Sequence, residues 1–490
     1  MNKKKVIFDL VHGYLEIDCY TEEIINSESF QRLKFINQLT VQHLYPSANH
    51  TRFEHSLGVM KLSIDFINKL EDQFLELLTC GDKTDRLSFL RYHLIYSALL
   101  HDIGHAPLSH VGESLYNKDE IIQCIKSKID ILEIDVSFDS YQNGSPHEIM
   151  SCYVILEKFY NKLYHIYPNF DFDFIFRIIT GSKYKGLENW DRNIIISIVN
   201  SDTIDIDKLD YLMRDNLMTG FVGPQIDVNR LMESLIIIPN KKRLSFKPVG
   251  LSAIQKVIDC RDSLYMWVYN HHTTVYTDYL YKECIKHLYT LKERGLTKFE
   301  EYIDHKDLFS CDAIVNRCVT DSEAMYYIRR AMKFSKDGRS STYTKILTSQ
   351  LLDRNFLKPS WKTLFEFSEF INREFKDDSE RKEILDLIIS QDTHYIKKIV
   401  LKLIEVTGCK LGKIFLVVRP NKFYCTNISN FYIYLNGKNR FLSTLLPQRN
   451  YSNLYEDIAF YLFAPSDKIE LVKSCFVDIM HDYKTIIDYV

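Results

Sequence analysis

Sixteen glycines and eleven prolines are few for a chain of 490 residues. This scarcity excludes collagen-like and Pro/Gly-rich disordered chains and leaves little turn chemistry for an all-β protein, so a mainly helical fold is favoured. No stretch approaches the roughly 18 to 20 continuous apolar residues that a membrane-spanning helix needs. The start, Met1-Asn2-Lys3-Lys4-Lys5, has the charge of a signal peptide without its apolar region, because Asp9, His12, Glu16 and Asp18 interrupt it. An intracellular, cytoplasmic protein is therefore expected. An excess of one charge is also missing. The net charge of −3 removes the broad basic surface of a nucleic-acid or membrane binder, though it leaves room for a local basic patch such as Lys183, Lys185 and Arg192. Eleven cysteines scattered from Cys19 to Cys475 contain no CxxC pair, the pattern of thiols in a reducing compartment.

Bulky residues are plentiful. Aromatics make up 13% of the chain, with 32 Tyr and 30 Phe, enough to fill a large core. Apolar residues recur at helical spacing from Phe53 to Leu78, and Leu90 to Leu100 is a strongly apolar helix. Helices are also predicted around Ile24 to Leu39, Glu148 to Leu163, Phe174 to Ile179, Arg192 to Val199 and Ile204 to Leu217, the last capped by Asp202 or Thr203. Leu251 to Leu280 reads as one long helix. The last quarter changes character, with strand-like runs at Lys413 to Arg419, Asn430 to Leu435 (before the turn signal Asn436-Gly437) and Ile458 to Phe463, then a helix from Asp467. The pattern predicts a helical body over residues 1–300, a helical connection over 301–410 and a small α+β lobe over 411–490.

Histidine is distributed unevenly: nine of sixteen fall within the first 147 residues. Three of these and an aspartate crowd into His101-Asp102-Ile103-Gly104-His105-Ala106-Pro107-Leu108-Ser109-His110 at the end of an apolar helix, a costly arrangement for a core unless it is used. His55, His101, Asp102 and Asp207 form a mixed imidazole and carboxylate set suited to a divalent ion such as Mg, Mn, Fe or Zn. Adjacent helix residues point about 100° apart, so His101 and Asp102 need partners from other helices. His481-Asp482 has no such company and is expected to bind nothing.

Arg52-Phe53-Glu54-His55-Ser56-Leu57-Gly58, His101-Asp102-Ile103-Gly104-His105-Ala106-Pro107, His147-Glu148 and Asp205 to Asp215 appear in the order His, His-Asp, Asp. Together with Phe30-Gln31-Arg32-Leu33 they resemble the HD-domain phosphohydrolases, in particular the deoxynucleoside triphosphate triphosphohydrolase branch. The similarity extends to Leu445-Leu446-Pro447 and includes both the SAM- and HD-domain-containing form, here without room for a SAM domain, and the bacterial dGTPases. The resemblance implies a helical HD-domain catalytic body, a divalent metal cofactor and a homo-oligomer.

The resemblance also implies roles. Arg52, Lys208 and Arg261 would contact the triphosphate, Tyr211 and Tyr269 the sugar, and Gln38 with Asp215 the 3′-hydroxyl. His110, oriented by Glu113, is the candidate general acid. His105 and His147, the latter supported by Glu148, would contact the phosphate chain. A nucleotide activator is implied near Lys5, Asn26, Gln31 and Lys34. Asn26 and Lys34 replace the residues with which the family reads guanine, so guanine-specific activation is not carried over. The expected reaction is metal-dependent hydrolysis of a dNTP to deoxynucleoside and tripolyphosphate. Two alternatives stay open: an HD-type phosphodiesterase or nucleotidase acting on another phosphate ester, and a nucleotide-sensing or nucleic-acid-binding module.

Overall fold

The computed structural model describes residues 5–79, 81–293, 304–336, 341–390, 393–420, 432–435, 438–441 and 458–482. Asn436-Gly437 and Leu445-Leu446-Pro447 lie outside them. Helices dominate, and no helix among the described residues is long and apolar enough to cross a membrane. The chain divides into two compact units. The first holds residues 1–262, 304–324 and 424–448, and the second holds 263–303, 325–423 and 449–490.

In the first unit the central element is the helix Arg52–Leu77, as the periodicity predicts. A reciprocal cap starts it: Glu54 Oε2 accepts from the Thr51 backbone N–H at 2.9 Å and from its hydroxyl. Its buried stripe runs through Leu62, Phe66, Leu70 and Phe74. The helices Lys83–Leu100 and Ile206–Thr219 pack against it. Asp205, rather than Asp202 or Thr203, caps the latter, with Asp205 Oδ1 accepting from the Lys208 N–H at 2.8 Å. Asp205 has the extended backbone that a cap requires, φ −135°. The expected helix over Ile24 to Leu39 is instead Cys19–Ile25, Glu28–Gln31 and a 3₁₀ turn, Arg32–Phe35. Ser27 interrupts it by capping a new start.

Two strand pairs in this unit escaped the periodicity. The hairpin Lys5–Asp9/Gly13–Ile17 turns on Asp9, whose Oδ1 accepts from the backbone of Val11 and His12. Leu235–Ile238 pairs antiparallel with Arg243–Phe246, which runs parallel to Tyr432–Leu435, and that strand pairs with Lys438–Phe441.

The second unit has a three-stranded sheet in which Ile458–Ala464 lies between Lys358–Pro359 and Phe415–Pro420. Trp361 stacks on Phe370 and Phe460 beside it. The expected helix Leu251 to Leu280 is broken. After Leu251–Leu264 comes a π turn, Tyr265–Tyr269, and the next helix begins at His272. The Asn270 N–H reaches back to Tyr265 O at 2.9 Å, so the ladder gains a residue and every later face rotates. His481 pairs with Glu380 at 2.6 Å.

His93 shows what a buried histidine looks like when it serves packing. It has no exposed surface and lies among Phe89, Tyr167, Phe170 and Phe174. Its Nδ1–H donates to Phe89 O at 2.7 Å and its Nε2 accepts from the Asp171 N–H at 2.8 Å. Burial, aided by Arg192 and Arg86, lowers its pKa to about 3. The unfolded chain takes up this proton below pH 6.5 while the folded chain refuses it. The stability is therefore complete above pH 6.5 and is lost as pH falls, at roughly 1.4 kcal/mol per unit. His93→Gln should flatten the pH dependence of urea-melt stability between pH 6.5 and 5 by about that amount. Equal slopes in both proteins would contradict this.

Candidate active site

Three helix ends bring the ligand candidates together. His55 lies in the first turn of Arg52–Leu77, His101 and Asp102 follow the last turn of Lys83–Leu100, and Asp207 lies in the first turn of Ile206–Thr219. Asp207 Oδ1 is 3.0 Å from His55 Nε2 and 3.7 Å from His101 Nε2. Asp102 places its oxygens 3.6 Å and 3.4 Å from the same two nitrogens. The other nitrogen of each ring is engaged: His55 Nδ1 with Asp210 Oδ2 at 2.7 Å, and His101 Nδ1 with Ala98 O at 2.8 Å. Both Nε2 atoms are buried against the Asp207 and Asp102 carboxylates. Two imidazoles with Nδ1 anchored, Nε2 converging and carboxylates beside them fit a divalent metal. Burial opposes a charge on His55, but Asp207, Asp210 and Asp102 hold its pKa at about 10, so a metal ion here would take the place of the Nε2 proton. Burial alone would raise Asp102, and Arg52, His101 and His55 hold it well below the carboxylate range.

Behind this set lies a network that the sequence reading passed over. Asp210 is fully buried. Besides His55 Nδ1 it meets His12 Nε2 at 2.6 Å and accepts from Arg214 at 2.9 Å, and Arg214 in turn donates to Asp9. The available signal was spacing: Asp210 is three residues after Asp207 and four before Arg214, on adjoining positions of one helix. Gly58 makes the close approach possible, because a Cβ there would lie 1.9 Å from Asp210 Oδ1.

A second cluster adjoins the first. Glu113 bridges two histidines, with Oε2 at 2.9 Å from His110 Nδ1 and Oε1 at 2.8 Å from His147 Nδ1. His147 stacks on His105 with centroids 4.1 Å apart. Burial works against charge on His147, but Glu113 raises its pKa to about 9, which leaves it cationic at neutral pH. Burial and then Arg52 hold His105 well below its ordinary value, so it stays neutral. These three imidazoles could also gather round an ion. However, two Nδ1 atoms are spent on one carboxylate, and Arg52 Nη2 lies 3.4 Å from His110 Nε2, so fixed positive charge opposes a cation there. The His110 side chain is 63% exposed. Glu148 is committed to the cap of Pro146–Val154 and to Asn200. Gly104 lets that helix approach, since a Cβ would lie 2.2 Å from the Ser151 nitrogen.

Arg52 is buried and donates to Asp102 Oδ2 at 2.7 Å and Ser109 Oγ at 3.0 Å. Lys208 Nζ reaches Ser201 O at 2.7 Å and Asp205 Oδ2 at 2.5 Å. Asp215 is buried against His50, 2.7 Å away, and the His50 carbonyl accepts from the Gln38 N–H, so Asp215 and Gln38 share a neighbour that the sequence reading did not single out. Tyr211 lies half-buried on the same helix as Asp207 and Asp215. Arg261 is buried near the end of Leu251–Leu264. Tyr269 belongs to the second unit, where its carbonyl accepts from Arg419. Lys5 and Asn26 meet at Glu22. Gln31 donates to Ile25 O, and Lys34 lies over Phe53. Arg192, in the suspected basic patch, is taken up by Asp171 and by the rings of Phe89, Phe174 and Tyr184.

No family model matches the chain. An uncharacterized protein of Methanocaldococcus jannaschii is 30% identical over 354 residues, covering 72% of this chain and 61% of its own. The deoxynucleoside triphosphate triphosphohydrolase SAMHD1 homolog of Dictyostelium discoideum is 28% identical over 377 residues, covering 74% and 63%. The chain thus spans about three fifths of the length of these curated relatives. A phosphohydrolase of Bacteroides thetaiotaomicron has the same fold, with TM-score 0.62 at 20% identity over 94% of this chain and 99% of that one. The solved structures share the fold, and the sequence relatives give the family. The homologues of this chain include HD-domain proteins and, among them, deoxynucleoside triphosphate triphosphohydrolases.

The Asp210 network yields a prediction. Asp210→Asn replaces an acceptor oxygen by a donor, so His55 loses its anchored tautomer. Divalent-metal affinity should fall about 10- to 100-fold, as measured by calorimetric titration with Mn²⁺. Unchanged affinity would separate His55 from metal binding.

Proposed function

We propose that the protein is a metal-dependent dNTP triphosphohydrolase releasing deoxynucleoside and tripolyphosphate. The observation that carries this reading is the convergence of the two buried Nε2 atoms of His55 and His101 with Asp102 and Asp207, directly beside a Glu113-bridged pair of histidines. The sequence relatives support the substrate class. Metal ligands in this reading are His55, His101, Asp102 and Asp207, for Mg, Mn, Fe or Zn. When bound, a divalent ion supplies charge that polarises the phosphate and makes water more acidic.

The chain's own groups do the rest. A triphosphate carries about four negative charges and needs fixed cations. Arg52, Lys208, Arg261 and protonated His147 provide them, with neutral His105 donating a hydrogen bond. Water attacks the α-phosphorus in line as the bond to the 5′-oxygen breaks, releasing to solvent one proton that replaces the one His110 gives up. Burial, with Arg52 nearby, lowers the pKa of His110, so the form that gives the Nε2 proton to the 5′-oxygen is the imidazolium, while Glu113 accepts from Nδ1–H and so fixes the ring's orientation. Glu148 keeps His147 in place through the cap of its helix. Tyr211 packs where a 2′-hydroxyl would fall, and Asp215 and Gln38 hold the 3′-hydroxyl. The sugar role of Tyr269 rests on sequence resemblance alone. The same reading includes a homo-oligomer and a nucleotide activator near Lys5, Asn26, Gln31 and Lys34.

Incubation with Mn²⁺ and each dNTP or NTP, with products separated by anion exchange, tests the reaction. Deoxynucleoside and tripolyphosphate are expected. Monophosphate and pyrophosphate, or turnover of unrelated phosphate esters alone, would overturn it. Tyr211→Ala should reduce discrimination between dNTP and NTP by about tenfold, consistent with ~1.4 kcal/mol of steric exclusion. Unchanged discrimination would make Tyr211 a packing residue.

A further inference from the structure

The loop between Asp102 and the short helix His110–Glu113 has an unusual backbone. Leu108 has φ 62° and Ser109 φ 52°, left-handed values that non-glycine residues keep only where the surroundings enforce them. Two buried side chains from distant parts of the sequence do so. Asp321 Oδ1 accepts from the Leu108 N–H at 2.7 Å, and its Oδ2 accepts from the Asn37 N–H at 3.0 Å. The Arg32 guanidinium donates to His105 O at 2.6 Å, Ile103 O at 3.4 Å and Val319 O at 2.7 Å. Arg32 therefore grips both the loop and the segment that carries Asp321.

The shape of this loop determines what lies on either side of it. Ser109 Oγ accepts from Arg52 Nε and donates to Gln38 O. The Gln38 carbonyl also accepts from Arg52 Nη2, next to the Asn37 N–H that Asp321 holds. Arg52 stands on these acceptors when it reaches Asp102. His110 follows Ser109 directly, so the Ser109 backbone angles set its direction.

We infer that Asp321 and Arg32 are positioning residues for the reaction. They hold the His105–Ser109 loop in the conformation that presents His110 to the leaving group and Arg52 to Asp102, and neither touches a ligand candidate's side chain. The consequence for turnover rests on the role given to His110 above; the hold on the loop does not. Asparagine at 321 offers one carbonyl oxygen for two N–H donors, and Arg32→Lys loses the fork that spans three carbonyls.

The test uses the full chain as wild type, D321N, R32K, L108G and L108G/D321N. D321N and R32K should lower kcat about 10²-fold, the cost of a small misplacement. Mn²⁺ affinity by calorimetry should stay within about twofold and KM, which Arg52 serves, should rise by much less than kcat falls, with a cooperative melt retained. Glycine reaches positive φ without steric cost, so L108G/D321N should regain about tenfold in kcat over D321N despite a lower Tm. Wild-type kcat in D321N, loss of Mn²⁺ binding in step with kcat, or a double variant slower than D321N would overturn the proposal. If the wild type cleaves no nucleotide, the function proposed above fails. The hold on the loop is then judged by the ¹⁵N imidazole shifts of His110: a change in D321N supports it, and unchanged shifts overturn it.

Discussion

A carboxylate with no exposed surface must be paired, because desolvating it alone costs far more than a fold of marginal stability can absorb. Asp210 is such a group, and the way it is satisfied organises the first unit. One oxygen meets His55 and the other meets His12, while Arg214 spans both. That arrangement fixes the tautomer of His55 and ties the N-terminal hairpin to the helix Ile206–Thr219 through Asp9. The packing against Gly58 draws this helix onto Arg52–Leu77. Asp207, one turn earlier on the same helix, is thereby delivered to the ring that Asp210 has oriented.

The same economy recurs around the opening of the site. Asp102 is held by Arg52, Arg52 by Ser109 and the Gln38 carbonyl, and the backbone on both sides of those contacts by Asp321. Glu113 divides its two oxygens between an exposed histidine, His110, and a mostly buried one, His147. The carboxylates of this site therefore enter as pairs or chains, and His55 and His101 each have Nδ1 committed and Nε2 turned to the carboxylates. This is what pre-organisation means physically: hydrogen bonds made on folding need not be made again during the reaction.

The candidate cluster was legible because its residues are chemically rare in an apolar helix end and stand in short words of fixed order, so His55, His101-Asp102 and Asp207 could be grouped without coordinates, and the structure brings both imidazoles within 3.7 Å of both carboxylates. The long helix over Arg52–Leu77 was equally legible from its apolar stripe. Asp210, His12 and His50 were not, since their importance lies in contacts across the fold that no local pattern encodes. Asp321 was hidden more deeply, more than 200 residues from the loop it holds. The break at Tyr265–Tyr269 was missed because a π turn keeps the composition of a helix. The strands at Leu235–Ile238 and Arg243–Phe246 read as a short apolar run followed by a mixed one, and the second also pairs with a strand distant in sequence, Tyr432–Leu435.

The central claim is that His55, His101, Asp102 and Asp207 form the metal centre, and the coordination shell of the purified, metal-loaded protein tests it most directly. X-ray absorption at the metal edge should show two imidazole nitrogens, with oxygen filling the remaining positions at about 2.0–2.2 Å for Zn²⁺. A shell of three imidazoles would place the ion instead at His105, His110 and His147. That result, or sulfur in the shell, would contradict the account.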